Sequence, residues 1–117
     1  MKVLRDIVGN QMIEICDVAV VTGPYGHKVD IEAIGSLAVF CFEDSYFVVD
    51  DKCTHGLGSL SDGKVLDDQV ICPFHRGAFN FRTGEPTKNP CTIPLKTYPT
   101  HVIGSTICIA DPGYSSE

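Results

Sequence analysis

Two short segments of this chain each place a thiol close to an imidazole: Cys53-Thr54-His55 and Cys72-Pro73-Phe74-His75. Sulfur and nitrogen donors of this kind bind transition metals, and four of them are enough to close a site. Zinc sites usually draw two cysteines from one place and two histidines from another. One thiolate and one imidazole per segment suit two metal ions instead, one held by the sulfurs and one by the nitrogens, with inorganic sulfides bridging them. A single residue separates Cys53 from His55, so in an extended loop both side chains fall on the same side and reach neighbouring metals. A Cys₂His₂ set also suits one structural zinc, and donor chemistry alone leaves that alternative open.

The rest of the chain bounds what such a site can belong to. Its 117 residues are expected to form one domain, large enough to bury a core without disulfides. The hydrophobic share of 44% and charged share of 21% are those of a globular protein. A net charge of -6 argues against nucleic acid and anionic lipid as partners. The first residues, Met1 to Asp6, carry no export signal, and the longest apolar run, Leu37 to Phe42, is far too short to span a bilayer. A cytoplasmic location is therefore expected, where six cysteines point to metal binding before disulfides.

The elements that must position the site read as strands. Met12 to Cys16 is expected to be a short strand, with Asp17 capping a brief helical turn through Val21, and Gly23-Pro24-Tyr25-Gly26 to be a loop. Val29 to Ile34 and Leu37 to Glu43 are β-rich runs separated by Gly35-Ser36, the spacing of a tight hairpin. A second reversal at Asp44-Ser45 leads into Tyr46 to Val49, so a three-strand meander delivers the chain to Cys53. From Asp50 to about Glu85 glycines punctuate short segments, with Val70-Ile71 and Ala78-Phe79 as small strands. Glycine there lets backbone amides approach a cofactor closely. Thr87 to Cys91 reads as a turn-rich connection. Leu95 to Ile103 and Thr106 to Ala110 form a last hairpin over Gly104-Ser105, and the tail from Pro112 frays. The expected class is all-β, with no internal repeat and no long amphipathic helix.

Cys-x-His, 16 intervening residues and Cys-x-x-His, with Gly56 after the first pair and Gly77 two residues past the second, resemble the Rieske 2Fe-2S motif. The resemblance runs over roughly Val29 to Ala110 and takes in the meander, the Thr83-Gly84 turn and Pro94-Leu95-Lys96-Thr97-Tyr98. It implies an antiparallel β sandwich or barrel carrying a small cluster-binding subdomain. The basal part would cover about 1–49 and 86–117, and the cluster-binding part about 50–85. It also implies one Rieske-type 2Fe-2S cluster ligated by Cys53, His55, Cys72 and His75.

Within that family, Rieske subunits of quinol-oxidising membrane complexes carry an extra disulfide at positions that are Gly58 and Phe74 here, which cannot make it. Large oxygenase subunits add a catalytic domain for which this chain has no room. The resemblance therefore implies a free-standing ferredoxin, a monomeric carrier of single electrons from an NAD(P)H-dependent flavoprotein reductase to a terminal ring-hydroxylating oxygenase. It implies no catalytic residues. A non-catalytic subunit like the small subunit of assimilatory nitrite reductases is the alternative. Rieske potentials span roughly -150 to +300 mV, and few sulfur hydrogen-bond donors would place this one in the lower part.

His55 and His75 are expected at an exposed tip, with Leu57, Leu60, Pro73 and Phe74 as an apolar docking face. Asp50, Asp51, Asp62, Asp67 and Asp68 would form a negative collar, or simply a solvated surface. Cys16, Cys41, Cys91 and Cys108 read as buried small hydrophobes, with Cys91 left open as a residue packed over the cluster. His27 and His101 lack ligand spacing and read as strand or surface residues.

Overall fold

A computed structural model of the chain describes residues 3–5, 11–32, 34–74 and 76–110. His75, most of the first ten residues and the tail from Pro112 lie outside the described residues. So the readings of an absent export signal and of a frayed tail fall there too.

Among the described residues, twelve strands form three four-stranded antiparallel sheets. The first sheet holds β1 (Val3–Arg5), β2 (Gln11–Asp17), β12 (Thr106–Ala110) and β11 (Thr100–Ile103), in that order. The second runs β10 (Thr97–Tyr98), β5 (Ser45–Asp50), β4 (Gly35–Phe42), β3 (His27–Ile31). The third runs β6 (Lys64–Leu66), β7 (Gln69–Ile71), β8 (Ala78–Asn80), β9 (Pro86–Lys88). Two short 3₁₀ turns, Val18–Val20 and Leu60–Asp62, complete the described elements. Asp17 caps the first, its carboxylate accepting from the Ala19 N–H at 2.8 Å.

The second sheet is the middle layer. Leu37, Ala38, Val39 and Phe40 follow one another in β4, and all four are fully buried. An uninterrupted apolar run buries both faces of a strand, since successive side chains point to opposite sides. Leu37 and Val39, with Val48 of β5, pack on Ile13, Ile15, Ile107 and Ile109 of the first sheet. Ala38, Phe40 and Val49 pack the other way, on Val70, Phe79, Phe81 and the sulfurs of Cys53, Cys72 and Cys91. Phe40 stacks on Phe81 with ring centroids 5.0 Å apart.

Several turns differ in detail from the expected positions. The β3–β4 reversal falls before Gly35, where the Ile34 N–H reaches the Ile31 carbonyl at 3.0 Å. Gly35 and Ser36 belong to β4, because Ser36 pairs with Asp30 in register and donates its hydroxyl to that carboxylate. The β4–β5 turn is Glu43-Asp44, both left-handed (φ 51° and 63°), as a tight twisted hairpin requires, so Ser45 already pairs with Phe42. The run from Leu95 to Ile103 is not one strand. Pro99 has no N–H to continue a ladder, and there the chain leaves β5 for β12. Gly104-Ser105 forms the last turn as expected, with Ile103 opposite Thr106. β6 and β9 were not expected as strands: each is three residues long, too short to carry a pattern. The third sheet ends at Lys88, past residue 85.

Gly84 and Gly104 both have left-handed backbones (φ 84° and 64°), but a Cβ on Gly84 would lie 2.2 Å from the Leu95 carbonyl oxygen, whereas one on Gly104 meets open space. Gly104→Ala is expected to cost about 1–2 kcal/mol from backbone strain. Gly84→Ala adds a further ~1–3 kcal/mol of overpacking to that. Urea unfolding midpoints of the two variants check the difference.

Candidate metal centre

The third sheet and the end of β5 suspend two loops of equal length. In the first, 53–58, the Cys53 N–H bonds the Gly58 carbonyl at 2.9 Å. In the second, 72–77, the Cys72 N–H bonds the Gly77 carbonyl at 2.7 Å. The second loop is the connection of the β7–β8 hairpin, whose last pair is Ile71 with Ala78. Each loop thus opens on a cysteine and closes on the glycine five positions later.

Both sulfurs are buried: Cys53 is 1% exposed and Cys72 0%. His55, on the first loop, is exposed. The structure therefore brings Cys53 and Cys72 together and turns His55 outward; His75 lies outside the described residues. A Cβ added at Gly58 would come within 2.4 Å of the Cys72 Sγ and 3.2 Å of the Phe74 Cβ. Gly58 is the clearance that lets the first loop close over the second sulfur. The same contact shows that positions 58 and 74, lacking the cysteines of the quinol-oxidising branch, are close neighbours.

The electrostatics suit a bound cation. Burial pushes the Cys72 thiol up to about 11, the Phe74 N–H that bonds the sulfur pulls it back, and Cys53 beside it raises it again. Without metal the Cys72 thiol stays protonated near neutrality, and loading displaces its proton. A cluster with two thiolate ligands on one iron fits this donor set: buried sulfurs close together, at least one backbone donor to sulfur, and an exposed imidazole.

A third loop completes the enclosure. Thr54, the central residue of Cys53-Thr54-His55, donates its hydroxyl to the Ile93 carbonyl at 2.7 Å. The segment at 89–95 thereby lies over the first loop. Cys91 on it is 4% exposed and belongs to the same packed cluster as Cys53 and Cys72, which settles the residue left open in the sequence.

Other candidates are redistributed. Leu60 is fully buried in the core and is not part of an outer face. It occupies the 3₁₀ turn held by its own N–H to the Asp51 carbonyl at 2.7 Å. On the three loops, Leu57 (83%), Phe74 (45%) and Ile93 (59%) are exposed apolar residues, and so is Pro73. Ile93 was missed because nothing in its local sequence shows that its loop returns to Thr54. Asp51 is 3% exposed: its carboxylate accepts from the Ser59 hydroxyl and, at 2.8 Å, from the Ser61 N–H. Asp50 accepts from the Tyr98 hydroxyl at 2.6 Å, and Asp68 from the Asn80 amide at 3.0 Å. These three acids hold turns and strands, leaving Asp62 and Asp67 exposed. Cys108 is buried as expected, but Cys41 is exposed, and Cys16 is half-buried against the core between the first two sheets. His27 and His101 sit in β3 and β11.

Gly58→Ala is expected to strain the pocket by about 1–3 kcal/mol and to speed metal loss, while Gly56→Ala, whose Cβ meets nothing within 4 Å, leaves loading unchanged. Iron and acid-labile sulfide per chain after purification check both.

Comparison with known proteins agrees with this centre. Residues 11–99 match the family described as Rieske [2Fe-2S] domain. The ferredoxin subunit of a 3-phenylpropionate/cinnamic acid dioxygenase from Shigella boydii is 39% identical over 101 residues, covering 86% of this chain and 93% of that protein. A Sphingomonas yanoikuyae B1 ferredoxin superposes with a TM-score of 0.83 at 38% identity, over 86% of this chain and 98% of its own. The ferredoxin in a complex of reduced oxygenase and oxidized ferredoxin of carbazole 1,9a-dioxygenase gives 0.78 at 34%, over 85% and 92%. With its paired sulfurs, outward imidazole and three enclosing loops, this chain belongs to the Rieske 2Fe-2S domain family, whose cofactor is one Rieske-type cluster.

Proposed function

We propose that the chain is a ferredoxin that carries single electrons from an NAD(P)H-dependent flavoprotein reductase to a terminal ring-hydroxylating oxygenase. In this reading Cys53 and Cys72 hold the inner iron and His55 and His75 the outer one. The observation that carries it is the contrast between two buried sulfurs and an exposed imidazole, with Leu57, Phe74 and Ile93 also exposed on the three loops. The cluster supplies a one-electron couple, and the protein supplies an insulated base with an exposed apolar exit. An apolar patch of that small size suits brief contacts, such as a carrier makes with two partners in turn. Relatives that are dioxygenase ferredoxin subunits support the same role.

The chain is read as a monomer with a basal part at about 1–49 and 86–117 and a cluster-binding part at about 50–85. Six free cysteines favour the reducing cytoplasm. No described helix is long and apolar enough to cross a membrane. Small subunits of nitrite reductases share the fold at 24% identity, and no specific observation favours that role.

The direct test mixes the holoprotein with such a reductase and NAD(P)H, then with a ring-hydroxylating oxygenase. One electron per chain should be taken up and passed on; a reduced form that neither accepts nor delivers sinks the proposal. Redox titration should place the midpoint in the lower part of the roughly -150 to +300 mV span of such centres. Asp62→Lys with Asp67→Lys should slow delivery several-fold at low salt and converge on the wild-type rate at high salt. Equal rates at low salt would return these acids to a solvated surface.

A further inference from the structure

The thiol of Cys91 has so far only a packing role, yet its Sγ lies 3.9 Å from the Sγ of Cys53, and both residues are buried. Geometry alone lets either sulfur donate. Chemistry decides between them. A cysteine sulfur bound to iron is a thiolate and carries no proton, so once Cys53 holds metal, the proton across this contact belongs to Cys91. An iron with two cysteine ligands and two bridging sulfides has a full tetrahedral set. Cys91 therefore has no vacant ligand position to enter, and a thiol buried in apolar surroundings keeps its proton.

A second, independent observation shows that the fold is shaped around this sulfur. A Cβ on Gly77 would lie 2.3 Å from the Cys91 Sγ and 3.0 Å from the Cys91 backbone nitrogen. The closing glycine of the second ligand loop is thus the space Cys91 occupies. The Cys91 N–H is tied to the Lys88 carbonyl at 3.2 Å, and the Ile93 carbonyl to the Thr54 hydroxyl at 2.7 Å. The chain is held on both sides of the thiol, which is aimed at one ligand sulfur rather than merely stored in the core.

We propose that Cys91 is a positioning residue for electron transfer: its S–H donates a hydrogen bond to the ligand sulfur of Cys53 and raises the reduction potential of the cluster. A donor at a ligand sulfur withdraws negative charge from it, which favours the reduced, more negative state. This rests on Cys53 being an iron ligand, and the two claims fail differently. Full iron content in Cys53→Ala overturns the ligand reading; an unchanged potential in the Cys91 variants, with Cys53→Ala empty, overturns the hydrogen bond alone.

The experiment is a redox titration of the holoprotein and three variants. Cys91→Val fills the space without a donor, Cys91→Ala removes the donor, and Cys91→Ser restores one. A lower midpoint in Cys91→Val and Cys91→Ala, with a wild-type visible spectrum and recovery in Cys91→Ser, supports the proposal. Wild-type midpoints in Cys91→Val and Cys91→Ala overturn it, since a packing role alone would leave the potential in place. If those variants lose the cluster, redox-difference infrared spectra of the wild-type holoprotein decide. An S–H stretching band that shifts between oxidised and reduced forms supports the bond, and a difference spectrum without one overturns it.

Discussion

Burying sulfur is the constraint on which the rest of this structure depends. Cys53 and Cys72 are removed from water, and a thiolate there is stable only with a cation beside it and donors around it. The chain meets the demand with backbone and with missing side chains rather than with charged ones. The Phe74 N–H bonds the Cys72 sulfur, Gly58 leaves room for that sulfur, and Gly77 leaves room for Cys91. Two loops of one length, each closed from cysteine N–H to glycine carbonyl, are the repeated solution. The third loop, at 89–95, covers the side they leave open.

These loops stay in place because the layer beneath them is rigid. From Leu37 to Phe40 β4 is buried on both faces, so each of these four side chains is committed either to the first sheet or to the third. Sliding it by one residue would exchange the two sets and expel Phe40 from its stack on Phe81. Asp51 then fixes the exit of β5: its N–H bonds the Ser36 carbonyl and its carboxylate gathers Ser59 and the Ser61 N–H. The first cysteine loop begins two residues later. A buried acid that looked like surface charge is the joint between the sandwich and the centre.

Outside the loops the molecule separates two kinds of surface. Leu57, Phe74 and Ile93, on the three loops, are exposed apolar side chains, and His55 is exposed as well. Asp50, Asp51 and Asp68 are engaged in hydrogen bonds within the fold, and the Arg82–Asp68 pair at 3.8 Å is a partly exposed link of the modest kind. Of the five acids near the centre, Asp62 and Asp67 are the exposed ones.

The sequence by itself determined what depends on neighbours along the chain. Mixed Cys/His pairs at fixed spacing indicated the kind of centre, and alternating or continuous apolar runs placed the major strands. Asp17 announced its cap, and Gly104-Ser105 its turn. It misplaced the β3–β4 reversal, because the Asp30–Ser36 pair that holds Gly35 in the strand is a cross-strand contact. It drew Leu95 to Ile103 as one strand, although Pro99 marked the break. Tertiary structure alone decided which residues meet across the fold: Leu60 inward and Ile93 outward, Asp51 as a joint, and Cys91 against Cys53 from 38 residues away. Local patterns report backbone geometry and solvent-facing periodicity, whereas a contact between distant loops depends on how three sheets close over one another, which no local pattern encodes.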